Sequence, residues 1–279
     1  MQNNKLKVIM PYFLMIPSII IGILAMISYG VDSSIWIQNI IVWIFGTILG
    51  CAFLIRNKKS YLHQDNFSFT IIILLLLVLP FLFNGLDGVH RWVSLGPIRF
   101  NVAVIFLPLL IIQLWRLSLK RPIFYTVLLT YIALITLLFH PDASQVTAFA
   151  CATVVIIWKK ITNTMLKILY LALTAIIVIL SWLFLDDLTP VPYVEQIIFL
   201  VADMGTIWLI LGVISLILLL LPFFFGGKKT VLSLSLGAYC LIMIIATFFG
   251  NFPMPIMGYG VSPIIGYSIA ITLLNKVNR

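Results

Sequence analysis

Charge is what this sequence has least of. Asp, Glu, Lys and Arg make up 9% of it, against 63% hydrophobic residues. A soluble domain covers its surface with roughly a quarter charged residues, so a soluble globular chain is excluded. Acids are scarcer than bases, 8 against 17, which leaves a net charge of +9. Such a charge would suit nucleic acid, but the basic residues sit in short clusters between apolar runs. That is the positive-inside pattern of a membrane protein, and nucleic acid is rejected as a partner. The 3 cysteines, Cys51, Cys151 and Cys240, all fall inside apolar segments. They read as small packing residues rather than disulfide partners or metal ligands. Linkers, low-complexity stretches and a clear internal repeat are also lacking, and the last weakens a transporter built from duplicated halves.

Long apolar stretches dominate what remains. They run close to the roughly 20 residues that cross a ~30 Å hydrocarbon core. Spans are predicted at 8–29, 35–55, 69–83, 101–117, 122–139, 143–158, 163–185, 196–225, 231–249 and 261–275. No small-residue cleavage pattern follows the first, so it reads as a retained helix. The fold class is all-α: a polytopic transmembrane helical bundle of about ten spans, one transmembrane domain over residues 1–279.

Charge placement orients it. With the N-terminus inside, the inner loops hold Lys5, Lys7, Arg56, Lys58, Lys59, Arg116, Lys120, Arg121, Lys159, Lys160, Lys167, Lys228, Lys229, Lys276 and Arg279. The outer loops hold Arg91 and Arg99. Fifteen basic residues against two place both termini in the cytoplasm. The acids do the reverse: Asp32, Asp87, Asp142, Asp186, Asp187 and Glu195 fall outside, Asp203 about two turns inside the eighth span, and Asp65 on the inner face. Solvated loops or an outward-facing functional surface would each explain that bias.

Three outer loops, at about 84–100, 186–195 and 250–260, look built rather than merely connecting, as does the entry to the sixth span. The first runs from Asn84 to Phe100 and holds His90, Arg91, Trp92 and Arg99. An arginine fork suits bidentate contact with phosphate or carboxylate. The competing reading pairs Arg91 with Asp87 or lipid head groups, with Trp92 as an interface anchor. At the sixth span, His140-Pro-Asp142 followed by Gln145 has the form of a capping box. Asp142 reads first as an N-cap and second as an acid facing a cavity. In the third stretch Asp186 and Asp187 read as solvated. Glu195 sits where a loop enters an apolar helix, where partial desolvation can make a carboxylate a general base. Asp203 lies eight residues on, on about the same helical face, roughly 12 Å deeper. An acid within a span is a functional hypothesis by default. In the last stretch, Gly250 to Pro263, prolines and glycines forbid a simple helix. Ser262-Pro263 reads as an N-cap followed by proline at the first helical position.

These segments, in this order, resemble the SEDS family (shape, elongation, division and sporulation; the FtsW, RodA and SpoVE group), as a divergent, short member. Asp87-Gly-Val-His-Arg-Trp-Val-Ser-Leu-Gly-Pro-Ile-Arg-Phe100 is similar to its N-G-A-R-R-W-I-x-L-G-P-x-x-F. His140-Pro-Asp142 is similar to Q-P-D. Glu195 and the run Ala202-Asp203-Met204-Gly205 resemble its catalytic-loop D and A-E-E-x-G. Pro255-Ile-Met-Gly-Tyr259-Gly-Val-Ser262-Pro is similar to P-F-x-S-Y-G-G-S-S. The resemblance implies polymerisation of glycan strands from lipid II on the outer face of the bacterial cytoplasmic membrane, beside a class B penicillin-binding protein and among membrane lipids. It implies Glu195 as the base that takes the acceptor proton, and Arg91 on the pyrophosphate side. His90, Trp92, Arg99, Asp142, Asp203, Tyr259 and Ser262 are the further substrate-binding candidates. Cationic groups or a divalent metal, magnesium or manganese, would stabilise the leaving pyrophosphate. The departures are Glu195 for Asp, His90 for the first arginine, Val102-Ala103-Val104 for P-S-E, Ser144-Gln145 for G-T, and Val261 and Pro263 in the final motif. They leave two alternatives: a relative that binds precursor or partner and regulates wall synthesis, or a transporter of lipid-linked precursor.

Overall fold

A computed structural model describes residues 9–56, 67–96, 98–226 and 230–277. Lys5, Lys7, Lys58, Lys59, Asp65, Lys228, Lys229 and Arg279 of the charge assignment lie outside the described residues. In chain order the helices are α1 (Ile16–Ser28), α2 (Ser33–Arg56), α3 (Phe67–Val78, continued by a 3-10 turn Leu79–Leu82), α4 (Val102–Lys120), α5 (Ile123–Leu138), α6 (Ala143–Trp158), α7 (Thr164–Leu183), α8 (Pro192–Glu195), α9 (Ile197–Asp203), α10 (Thr206–Leu218), α11 (Leu221–Phe224), α12 (Val231–Ala246) and α13 (Val261–Val277). Among the described residues five helical stretches are long and apolar enough to cross a membrane: Ile9–Ser28, Ser33–Arg56, Val102–Lys120, Thr164–Leu183 and Thr206–Phe224. Five shorter apolar helices fall in the other expected segments. In lipid every backbone polar group must bond within its own segment, and the helix does this.

The described residues form two compact units. One comprises residues 61–188 and 229–242. At its centre α4 packs against α3, α5 and α6, and is the most buried of the long apolar helices. α7 lies at the opposite extreme, with long apolar side chains such as Ile168, Ile176 and Ile179 exposed, as a lipid-facing helix requires. Buried polar side chains pair with one another: Tyr239 donates to Gln145 Oε1 at 2.8 Å and Trp182 Nε1 to Thr147 at 3.0 Å.

The other unit comprises residues 1–60, 189–228 and 243–279. Here α2 packs along α13. Gly46 and Gly50, one turn apart on α2, face Ser268 and Thr272 on α13. Small residues at that spacing let two helix backbones approach, which is how helices associate where lipid removes the hydrophobic drive between them. α1 packs on α9 and α10, and Ser18 donates to Ser215 at 3.0 Å across that contact.

Two expectations change. Residues 84–100, read from the sequence as too long and too varied for a plain hairpin, nonetheless contain one, because Trp92–Leu95 (β1) and Ile98–Asn101 (β2) pair antiparallel. Their aromatic and β-branched side chains favour the pleated backbone. The eighth span does not run unbroken over 196–225: the chain breaks at Gln196 and again at Gly205, whose φ of +123° glycine alone adopts readily. Glu195 and Asp203 therefore sit on separate short helices rather than on one face of a continuous one.

Candidate functional site

In the first unit the segment before α4 is built from two tight turns. Asp87 and Gly88 both take positive φ, the Asp-Gly signature of a two-residue turn, closed by pairing of Leu86 with Val89. Gly96, at φ +62°, turns β1 toward β2. The hairpin register sets Trp92 opposite Asn101 and Ser94 opposite Arg99. Asn101 then caps α4, its side chain accepting from Val104 N at 3.2 Å.

This frame separates Arg91 from Arg99. Arg99 on β2 is exposed. Arg91 is 4% exposed, stacks its guanidinium 4.7 Å over the Trp92 ring, and pairs with Asp186 and, at 3.5 Å, with Asp142. The expected alternative partner Asp87 is exposed at its turn, and Asp186, expected in solvent, is drawn into the pair. Asp142 has little left to offer a ligand. Its Oδ1 accepts from Ser144 Oγ at 2.6 Å and from Gln145 N at 3.2 Å, so it caps α6 as its spacing suggested. The Nε of Arg91 is buried with no hydrogen-bond partner.

His90 and His140 line the same cluster. His90 Nδ1 donates to Phe83 O at 3.1 Å. His140 is wholly buried, donates Nε2–H to Leu77 O at 2.9 Å, and leaves Nδ1 unpartnered. Burial pushes its pKa down to about 4, with Arg91 and His90 adding to the shift and the Leu77 bond and Asp142 opposing it.

In the second unit the irregular segment after α12 is tied to the start of α8. Met254 N donates to Val194 O at 3.1 Å, and Tyr259 N to Tyr193 O at 2.9 Å. Gly258 lies so close that an added Cβ would stand 2.5 Å from Val194 O. The other side of the loop is held by α2. Asn39, wholly buried, donates Nδ2 to Gly258 O at 3.0 Å and accepts from Gly260 N at 3.2 Å. Gln38 Oε1 accepts from the Tyr259 hydroxyl at 3.0 Å. That hydroxyl's pKa is raised, first by burial and then by the neighbouring Tyr193. Glu195 ends α8, half-buried, and its Oε2 accepts from Val191 N at 2.7 Å. Tyr259 and Glu195 thus flank one fastened stretch of backbone. Asp203 closes α9 exposed, before the Gly205 break, not two turns within a span. Ser262 is buried, and α13 begins at Val261, so Ser262 lies in its first turn rather than at the cap.

Sequence reasoning missed Asn39 and Gln38. Two adjacent amides in an otherwise apolar helix were a readable signal, because a membrane helix buries such groups only where they bond. Among the described residues no group of three or more His, Cys, Asp or Glu side chains is placed to hold a metal ion. A magnesium or manganese ion finds no protein-built cage there.

The fold defines a polytopic helical membrane protein. No family model and no curated protein matches the sequence. Solved structures do. Rod shape determining protein RodA from Thermus thermophilus is similar at 18% identity with a TM-score of 0.73, over 96% of this chain and 95% of that one. A single-residue variant of the same RodA gives 18% and 0.74, over 96% of each chain. A chain from a peptidoglycan synthase complex, described for its coordination of polymerisation and crosslinking, gives 16% and 0.72, over 96% and 97%. The chain has the RodA fold, the SEDS-like fold its motifs led us to expect.

Proposed function

We propose that the chain is a SEDS-type glycosyltransferase of the bacterial cytoplasmic membrane, which polymerises lipid II into peptidoglycan glycan strands on the outer face. The observation that carries this reading is the RodA fold over 96% of the chain, with the motif-matching segments at Glu195 and Tyr259 fastened to each other. In this reading Glu195 takes the proton of the acceptor sugar hydroxyl. The freed oxygen bonds to the anomeric carbon of the donor, and the bond to undecaprenyl pyrophosphate breaks. Rate depends on holding the base within about an ångström of its proton. The bond Asn39 donates to Gly258 O, the one it accepts from Gly260 N, and the backbone pairs to Tyr193 and Val194 would supply that rigidity.

The outer basic residues divide by role. Arg91 is committed to two carboxylates, so it acts as a brace for the hairpin. Arg99, exposed on β2, is the arginine available to a phosphate. His90, Trp92 and Asp142 support the brace, and Asp203 and Ser262 border the second segment. A class B penicillin-binding protein is the expected partner, since the similar synthase complex couples polymerisation with crosslinking.

A second reading is favoured by the same Arg91 observation: a chain that binds precursor and regulates a synthase without catalysis. The test is purified protein with lipid II, a divalent cation and its partner. Glycan polymer that disappears in Glu195→Gln supports the enzyme. Absence of polymer with the partner present rejects it in favour of the regulator, and movement of precursor across liposomes without polymer favours a transporter.

A further inference from the structure

Three basic side chains are buried among the described residues: Arg91, Arg116 and Lys276, at 4, 9 and 8% exposed. Arg91 has its two carboxylates, and Lys276 lies 4.4 Å over the Phe53 ring. Arg116 differs from both. It sits in α4, the most buried of the long apolar helices, and no carboxylate, ring or hydrogen-bond acceptor among the described residues meets it. Its Nε is sealed from solvent without a partner. Lys120 lies four residues on, on the same helical face and exposed, and Arg121 stacks its guanidinium 5.0 Å over Phe67. A helix C-terminus favours cations, which accounts for Lys120 in the last turn. It does not supply an acceptor to a buried guanidinium four residues from the helix end.

An unpaired buried guanidinium in a membrane protein is costly, and such a group marks a site whose counter-charge comes from elsewhere. A planar fork of donors fits a tetrahedral oxyanion better than a carboxylate already spent on a protein cation. The charge bias of the loops puts this end of α4 on the cytoplasmic side, the leaflet rich in anionic headgroups. We propose that the inner end of α4 binds a phosphate-bearing anion, in the membrane the headgroup of an anionic phospholipid, with Arg116 as the central contact and Lys120 as its outer support. The site is independent of Glu195 and of the polymerase reading.

The test uses the full chain purified in neutral detergent and melted with phosphatidylglycerol, phosphatidylcholine or inorganic phosphate at matched ionic strength. Phosphatidylglycerol should raise the wild-type midpoint and phosphatidylcholine should not. Arg116→Gln should weaken phosphatidylglycerol binding on the order of tenfold or more, the loss expected for one charge-assisted contact pair. Lys120→Gln should weaken it less. An equal rise with inorganic phosphate, also lost in Arg116→Gln, keeps the anion site and discards the lipid as its source. A phosphatidylglycerol shift that survives Arg116→Gln, or no shift in the wild type with either anion, overturns the proposal. Should Arg116→Gln not fold, Arg116→Met and Arg116→Lys carry the same comparison. Arg116→Met is then expected to lose the shift and Arg116→Lys to keep part of it, and full retention in Arg116→Met overturns the proposal equally.

Discussion

The Arg91 cluster and the loop at 254–260 fasten the segments between helices by opposite means. Around Arg91 the fastening is ionic: one buried guanidinium against Asp142 and Asp186, with His140 held neutral beside it. Around Gly258 it is neutral: an asparagine standing in for a strand edge, backbone pairs to α8, and a glycine with no room for a side chain. Buried charges stabilise only as a complete set, and they withdraw those charges from any ligand. Neutral amides cost less to bury, and beside them Glu195 accepts from Val191 N through its Oε2. In the proposed function the first region supplies support and the second the chemistry.

Breaking the ionic set should have the largest effect. Arg91→Met leaves two carboxylates without their cation, and we expect a loss of roughly 3–5 kcal/mol in unfolding free energy, read by denaturant titration in detergent. Adding Asp142→Asn and Asp186→Asn should recover part of it. A titration sharpens the same contrast. The folded pKa of His140, about 4, lies below its ordinary 6.5. The unfolded chain therefore binds the proton first as pH falls. The stability this histidine contributes is whole above about 6.5 and is lost between there and about 4, up to roughly 3 kcal/mol. His140→Phe should flatten that part of the pH–stability curve, and an unchanged slope would show that His140 is not the group involved.

Smaller effects belong to the neutral clamp. Asn39→Leu strands Gly258 O and Gly260 N, and we expect a loss of about 2 kcal/mol, largely insensitive to pH. In the polymerisation assay Asn39→Leu should lower turnover more than lipid II affinity, whereas a plain packing defect would lower the folded fraction alone. The smallest change is Arg99→Gln, within about 0.5 kcal/mol of wild type in stability because the side chain is exposed. Its effect should show in lipid II affinity. Equal stability losses for Arg91→Met and Arg99→Gln would erase the distinction between the two arginines.

Hydropathy made the apolar helices legible, since a 20-residue apolar run has few other readings. The cap at Asp142 was legible because an N-cap acts within one turn. The hairpin was less so: Trp92 to Asn101 carries β-branched and aromatic residues around a Gly-Pro pair, but it lies within a longer, varied segment from Asn84 that does not read as a plain hairpin. The Arg91–Asp186 pair was out of reach, because its partners stand 95 residues apart and nothing local marks them. The break at Gly205 lies in a long apolar run that reads as one span; Asp203, Gly205 and Thr206 interrupt its hydrophobicity there, and the positive φ of Gly205 marks the break in the backbone.

The central claim is that Glu195 performs chemistry while the surrounding hydrogen bonds hold it. It is tested most directly by melting Glu195→Gln and then incubating it with lipid II and a class B penicillin-binding protein. The account expects a melting midpoint near wild type and no glycan polymer, with wild type forming chains alongside. Polymer made by Glu195→Gln at the wild-type rate would contradict it.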